Sequence, residues 1–456
     1  MGGLFFNALL EQGYDPQHLY PVNPKMDEVR GLRCYPSVLD CPDPVDHVIS
    51  QIPAVGLSDL VDQCIQKGVR SIHSFTAGLA ETGDPELVQM ERDIIERVQK
   101  AGIRFIGPNC MGLFVPGVGL SFMPGLPRDP GNVFMLSQSG ANSNVILRSL
   151  GDRGLRFSKG VSFGNGADVR APELLAYALA DPQTAFVVGY LEGIQGGRAF
   201  LENLKRVAAA KPTLLLKGGI TSDGARAAHS HTGSLAGSVE VFDALCRQVG
   251  AWRPESMDEL LDLATAVTTA VRNVKGPNVA LIGAGGGFAV LSSDQLALAG
   301  LRVPPLPEEV QQELREFVPL AGTSVRNPVD VTFGRDHPLD FIDDRDLTVR
   351  LFEVIANSHS TDVLLTTAGG FFRPGRDVAQ EERDRHLRAT VDELSGIQER
   401  TGVPIVMVQE ERHVRSVTQY AHEQGIAIIP TVARAGKAIA DLLAWRKERE
   451  GLPDIL

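Results

Sequence analysis

Hydrophobic residues lie along this chain in two alternating patterns: short unbroken apolar runs, and longer stretches in which apolar positions return at helical spacing. The first part of the chain predicts helices over Gly3 to Gln12, Leu57 to Lys67 and Glu86 to Ala101. Strands are predicted at His18 to Val22, Val48 to Ile52 and Arg104 to Ile106. The last of these runs into Gly107-Pro108-Asn109-Cys110-Met111-Gly112, a turn-rich exit of the kind that lines a ligand cleft. Residues 115 to 131 are interrupted by Pro116, Pro124, Pro127 and Pro130 among glycines, which suits a linker. Beyond it, apolar runs at Val133 to Leu136, Ala185 to Leu191 and Thr213 to Leu216 predict buried strands, and the stretch to Leu150, Val239 to Val249 and Met257 to Val271 predict helices. After a second linker at Asn273 to Asn278 the alternation restarts. Runs at 279–282, 362–367, 405–408 and 426–429 alternate with helices near 340–357, 382–401 and 433–446. Strand and helix in alternation imply an α/β fold built on parallel sheets.

Length and charge narrow the function classes. A chain of 456 residues exceeds what one core normally serves, so two to four domains are expected. A formal charge of -12 argues against nucleic-acid and anionic-membrane surfaces. Any phosphate-bearing ligand must then be held by local groups. Met1 to Gln12 carries no basic leader, and no segment approaches the roughly 20 apolar residues needed to cross a bilayer. The five cysteines are odd in number and lack CxxC spacing, so we expect reduced thiols in a cytoplasmic protein and no metal site.

Candidate chemistry sits at the strand exits. Ser137-Gln138-Ser139-Gly140-Ala141-Asn142 joins a strand to a helix, where backbone N–H groups and the helix dipole favour an anion, although a serine N-cap alone would look the same. The next exits are Glu192-Gly193 and Lys217-Gly218-Gly219. Residues Ala227 to Ser238 read as a small-residue loop carrying His229 and His231, either a mobile surface turn or a carrier of a transferable group near neutral pH. The run Gly283 to Gly287 departs from GxGxxG spacing and lacks the acidic residue a dinucleotide site needs. The charged run Gln380 to Arg388 reads as a solvated helix face.

Taken together these segments resemble the α subunits of the nucleoside-diphosphate-forming acyl-CoA synthetases, relatives of succinyl-CoA synthetase. The resemblance rests on Tyr20-Pro21-Val22-Asn23-Pro24-Lys25, on the Gly107 to Gly112 turn and on Ser137 to Ala141. It rests also on Gly164-Asn165 with Ala167-Asp168-Val169, on Leu191-Glu192-Gly193, on Ser230-His231-Thr232-Gly233-Ser234-Leu235-Ala236-Gly237-Ser238 and on Ser324 to Asp330. It implies a Rossmann-like CoA-binding domain over 1–125 followed by two flavodoxin-like domains, over 126–272 with the histidine segment and over 277–450. The implied reaction is reversible: acyl-CoA, phosphate and a nucleoside diphosphate give the acid, CoA and the triphosphate, through an acyl phosphate and a phosphohistidine.

By the same resemblance His231 is the phosphorylated residue and Glu192 its carboxylate partner. Ser139, Gly140, Ala141 and Gly233 would hold phosphoryl oxygens, while Lys25, Pro53, Thr76, Ala77 and Asn109 would line the CoA cleft. An ATP-grasp β subunit would bind ATP or ADP with Mg2+, in a heterotetramer. The family's first strand and glycine-rich loop would precede Gly2, and Gly283-Ala284 and Phe288 depart from its third-domain pattern. A non-catalytic acyl-CoA-binding or regulatory protein, or an acyl or carbamoyl transferase without nucleotide, are the alternatives.

Overall fold

The computed structural model describes residues 3–232, 237–283, 285–318, 320, 322–331, 345–367, 380–409, 415–449 and 455. It divides into two compact units, one of 1–149 and 156–256 with 455, the other chiefly 257–454 with the segment 150–155. Fifteen strands and fifteen α-helices are described.

The first unit opens with α1 (Leu4–Gln12), a hairpin of β1 (Glu28–Val29) and β2 (Leu32–Arg33), and then β3 (His47–Ser50), α2 (Leu57–Lys67), β4 (Ser71–Ser74), α3 (Pro85–Lys100) and β5 (Arg104–Ile106). Strands β3, β4 and β5 form a parallel sheet in that order. Helix α2 ends at Gly68, whose φ of 77° suits a left-handed cap, and α3 begins after Asp84, whose carboxylate accepts the Glu86 N–H. The apolar faces of both helices close over Ile72 and Phe105 in one core. The strand expected at His18 to Val22 is absent. Asp15 caps a 3-10 turn at Pro16–His18, and only Val22 makes a bridge, to Tyr35.

The same unit continues through β6 (Gly112–Phe114), β7 (Pro130–Ser137), α4 (Gly140–Asp152), β8 (Phe157–Ser162), α5 (Ala171–Ala180), β9 (Phe186–Leu191), α6 (Gly197–Ala210), β10 (Thr213–Lys217), α7 (Ser222–Thr232) and α8 (Val239–Val249). Its sheet runs β10-β9-β7-β8-β6, parallel except for the edge strand β6. Strand order reverses between β8 and β9 on either side of β7, so the crevice of this doubly wound sheet opens at the carboxyl ends of β7 and β9. Residues 227–232, expected in a loop, complete helix α7 instead. Thr221 starts it, accepting the Gly224 N–H on its side chain and the Ala225 N–H on its carbonyl, and Ala225, Arg226, Ala227 and Ala228 are good helix formers.

The second unit contains α9 (Met257–Thr268), β11 (Val279–Gly283), α10 (Gly286–Leu298), α11 (Glu308–Arg315), β12 (Val329–Asp330), α12 (Arg345–Asn357), β13 (Val363–Thr367), α13 (Gln380–Thr401), β14 (Ile405–Val408), α14 (Arg415–Glu423), β15 (Ala427–Ile429) and α15 (Val432–Glu448). All five strands are parallel in the order β12-β11-β13-β14-β15, the flavodoxin arrangement. The glycine run leads into α10, and Glu381, Glu382, Arg385 and Arg388 are exposed on α13, as the charge pattern implies. Helix α9, expected to close the middle domain, buries Asp262 between Arg153 Nη1 at 2.8 Å and Arg434 Nε at 2.6 Å of α15.

A buried and a half-buried imidazole stand out beneath α1. His73 on β4 is 1% exposed with neither ring nitrogen hydrogen-bonded, and its ring fills the space that a side chain at Gly112 would need. His47 on β3 faces it with ring centroids 5.9 Å apart and bonds Ser71 through Nδ1 at 2.8 Å. Burial lowers His47 from 6.5 to about 4, and burial followed by the charge of His47 lowers His73 well below its usual value. The unfolded chain therefore binds protons that the folded chain refuses: the stabilisation is whole above about pH 6.5 and is lost as pH falls toward 4. We expect the urea midpoint to drop across that window, with up to ~1.4 kcal/mol per pH unit lost for each ring. His47→Gln should flatten the profile, and equal slopes in variant and wild type would contradict this account.

Candidate functional site

The crevice between β7 and β9 gathers most of the polar exits. Ser137 and Tyr190 are register partners there. Past β7, Ser139 caps α4: its hydroxyl accepts the Asn142 N–H at 3.3 Å, while its own N–H donates to Ser137 Oγ at 3.1 Å. The start of a helix leaves its first N–H groups without intrahelical acceptors, so those of Gly140 and Ala141 point out of its positive end. Ala141 is exposed and Gly140 is held close to Met111, whose Cγ would lie 2.8 Å from an added Cβ. Three of the expected phosphate-holding residues thus share one helix start.

Glu192 lies across the crevice, 8% exposed, and its Oε2 is buried with no hydrogen-bond partner. A buried carboxylate oxygen without a donor costs free energy that surface exposure would remove, so the position is enforced by its surroundings. Gln138 supplies much of that enforcement. Its Oε1 accepts the backbone N–H of Glu192 at 2.5 Å and of Gly193 at 2.9 Å. Lys217, 3% exposed at the end of β10, donates to the Glu192 carbonyl at 2.7 Å and to that of Gly218 at 2.5 Å. Burial lowers the Lys217 pKa, against the opposing effect of the Glu192 charge. Gln138 and Lys217 stood in the sequence beside recognised exits, but their roles require knowing that β7, β9 and β10 are neighbours.

Helix α7 leaves β10 from this same edge and packs against the 3-10 turn Ala80–Thr82. His231 is its penultimate residue. The side chains of His229 and His231, and the whole of Gly233, lie outside the described residues.

The turn under α7 belongs to the second group of expected residues. Thr76 is buried and donates to the Ile52 carbonyl at 2.8 Å, and its own carbonyl accepts the Asn109 N–H at 2.8 Å. Asn109 has a φ of 56°, a left-handed conformation that asparagine tolerates better than most residues. Glu81 gathers the Gly78 N–H at 2.6 Å and the Asn165 amide at 2.8 Å. Gly164 lies flat on this turn, since a Cβ there would fall 2.3 Å from the Pro108 carbonyl. Asp168 fastens the same stretch to β5 through the Phe105 N–H at 2.8 Å and Arg104 Nε at 2.9 Å. Burial would raise its carboxyl, but the Phe105 N–H, Arg104 and Gln99 together hold it below the usual range. Thr76 and Asn109 are therefore united at the carboxyl ends of β4 and β5, with Ala77 and Pro53 exposed alongside in the chain. Lys25 is exposed in a separate turn, where its N–H bonds Asn23.

Among the described residues no group of three His, Cys, Asp or Glu could hold a metal ion, all five cysteines are free and buried, and no helix is long and apolar enough to cross a membrane.

Comparison with known proteins adds an independent line. Family models match at residues 2–116 (CoA binding domain), 130–267 (succinyl-CoA ligase like flavodoxin domain) and 279–361 (ligase-CoA domain). The α subunit of acetate–CoA ligase [ADP-forming] II from Pyrococcus furiosus is 38% identical over 70% of this chain and 69% of its own length. Acetate–CoA ligase [ADP-forming] of Methanocaldococcus jannaschii is 36% identical over 69% of this chain, which spans only 44% of that relative. Among solved structures, dinucleotide forming acetyl-coenzyme A synthetase 1 of Ca. Korarchaeum cryptofilum, in complex with phosphate and ADP, superposes with a TM-score of 0.75 at 30% identity, over 98% of this chain and 92% of that one. Sequence, fold and strand-exit geometry agree: the chain belongs to the family of ADP-forming acyl-CoA ligase α subunits, within the succinyl-CoA synthetase-like superfamily.

Proposed function

We propose that this chain catalyses the acyl and first phosphoryl transfers of an ADP-forming acyl-CoA ligase, with His231 as the phosphoryl carrier. The observation that carries this is the buried, unpartnered Oε2 of Glu192, set across the crevice from the open N–H groups of α4. A carboxylate held without a donor is ready to accept one N–H of an imidazole, which fixes the tautomer and leaves the other nitrogen as nucleophile.

In the reaction so read, phosphate attacks the thioester carbonyl, the C–S bond breaks, and CoA leaves with the acyl phosphate remaining. The free imidazole nitrogen of His231 then attacks phosphorus, and the P–O bond to the acyl group breaks to release the carboxylate. Charge on the imidazole is balanced by Glu192, and charge on the phosphoryl oxygens by the N–H groups of Gly140 and Ala141 with the Ser139 hydroxyl. Gly233 would complete that cradle. Thr76, Ala77, Pro53, Asn109 and Lys25 would hold CoA at the β4 and β5 exits, beside the turn on which α7 packs. Phosphohistidine then passes its phosphoryl group to a nucleoside diphosphate.

The final acceptor would sit on an ATP-grasp β subunit that binds ATP or ADP with Mg2+, in a heterotetramer. Two facts support a separate partner: the Pyrococcus relative is named an α subunit, and the Methanocaldococcus relative extends well beyond this chain. Five buried, free thiols suit a cytoplasmic setting. An acetate-sized acid is the simplest substrate, by likeness to those relatives.

The chain mixed with its ATP-grasp partner, magnesium and γ-labelled ATP should gain an acid-labile phosphate, as a phosphorus–nitrogen bond requires. His231→Ala should abolish the label, and Gln138→Ala should slow labelling about tenfold by releasing the Glu192 backbone. Full labelling of His231→Ala would overturn the assignment.

A further inference from the structure

Attack of phosphate on a thioester needs a place for the acyl chain besides those for CoA and phosphate, and the residues named so far supply none. Met111 is placed to do so. Strand β6 is antiparallel to β8, with Gly112 paired to Ser162, and Ser162 is in turn the partner of Ser137 on β7. The start of β6 therefore lies at the carboxyl ends of β7 and β8, where α4 begins. Met111, the residue just before β6, packs on Gly140, the first residue of α4. A Cβ on that glycine would fall 2.8 Å from Met111 Cγ and 3.5 Å from its Sδ, so the thioether fills the space that a side chain there would take. Two positions before Met111, Asn109 gives its N–H to the Thr76 carbonyl at the exit of β4. The turn from Gly107 to Gly112 thus runs from the residues that would hold CoA to the helix start that would hold phosphate.

We propose that Met111 is the specificity-determining residue for the acid: its thioether is the wall on which the acyl chain packs, and it restricts the site to short acyl groups. This rests on the acyl-CoA reaction argued above. The carbon under attack has to reach both the phosphate at the N–H groups of Gly140 and Ala141 and the sulfur at the β4 and β5 exits. An alkyl chain leaving that carbon needs an apolar neighbour. Ser137, Gln138, Ser139 and Glu192 are polar, whereas the Met111 side chain is apolar, polarizable and unbranched. Its main chain has no room to retreat from a longer chain. The Met111 N–H donates to Ser162 Oγ at 3.1 Å and the Cys110 N–H to the Ser74 carbonyl at 3.3 Å. The carbonyls of Pro108 and Gly107 accept the N–H groups of Asn165 and Ala167 at 3.1 and 3.0 Å. Behind Met111, Gly112 lies flat on the His73 ring, since a Cβ there would fall 2.1 Å from His73 Cε1. With the backbone pinned on both sides, the length of the side chain at 111 sets the room left for the acyl group.

The test uses the chain assembled with its ATP-grasp partner and measures kcat/KM with phosphate and ADP for acetyl-CoA, butyryl-CoA and hexanoyl-CoA. In Met111→Ala the ratio of hexanoyl-CoA to acetyl-CoA should rise about 30-fold over wild type, carried mainly by KM for the longer substrate. Met111→Val, a milder truncation, should move the ratio the same way by less, and it decides the matter if the alanine variant does not fold. Met111→Leu, of nearly the same volume, should keep the wild-type order. Gly140→Ala should push the thioether outward and depress butyryl-CoA more than acetyl-CoA, and adding Met111→Ala should relieve that loss. An unmoved chain-length preference in Met111→Ala and Met111→Val would overturn the proposal, as would a fall by one common factor for all three substrates, which is the mark of a merely structural role. The wild type separates the two readings. If it turns over none of the three acyl-CoAs, the reaction itself has been misassigned; if it turns them over and the Met111 variants keep its preference, only the role of Met111 has.

Discussion

Everything proposed for this protein depends on one costly arrangement, a glutamate carboxylate buried at the carboxyl edge of a parallel sheet with one oxygen left unpaired. Left to itself, the Glu192 side chain would rotate toward water and recover its hydration. The sheet opposes this through the backbone on either side of the residue. Gln138, just after β7, takes both N–H groups of the Glu192-Gly193 step, and Lys217 from β10 takes the carbonyl. Each clamp comes from a different strand exit. The order β10-β9-β7 is therefore what makes the site possible, because it brings those three exits side by side.

A second constraint joins that site to the exits of β4 and β5. The stretch from Gly164 to Asp168 belongs in sequence to the middle sheet, yet its polar groups are spent on the β4 and β5 exits of the first sheet. Asn165 shares Glu81 with the Gly78 turn, and Asp168 takes the N–H of Phe105. Gly164 permits a backbone approach that any other residue would block. Helix α7, which carries His231, packs on the Ala80–Thr82 turn beside those exits.

Much of the fold was legible in the periodicity. Leu57–Lys67, Arg104–Ile106, Val239–Val249 and Ile405–Val408 form as the apolar spacing implies, because each buries one face or both against a sheet. Where local composition and tertiary demand diverge, the pattern misled. Tyr20-Pro21-Val22 looks like a strand but finds no sheet to join, and makes one bridge. Phe157–Ser162 carries Ser158, Lys159 and Gly160 and gives little strand signal, yet it lies between β7 and β6 and is buried by them. Glycines and histidines around Ala227 suggested a loop, whereas Thr221 and the alanines after it contained the helix signal. At the site, Ser139, Glu192, Thr76 and Asn109 could be named from motifs. Gln138 and Lys217 stood within the strand exits read from the sequence, but their clamping of the Glu192 backbone could not be read there, since it consists of contacts between strands far apart in sequence.

The central claim is that the unpaired oxygen of Glu192 receives a ring N–H of His231. Proton–nitrogen NMR of the assembled protein, labelled with 15N-histidine, reads that bond directly as a ring proton shifted downfield and protected from exchange with water. We expect one such resonance, absent from His231→Ala and absent from Glu192→Gln. A protected resonance that belongs to His231 and survives unchanged in Glu192→Gln would contradict the account.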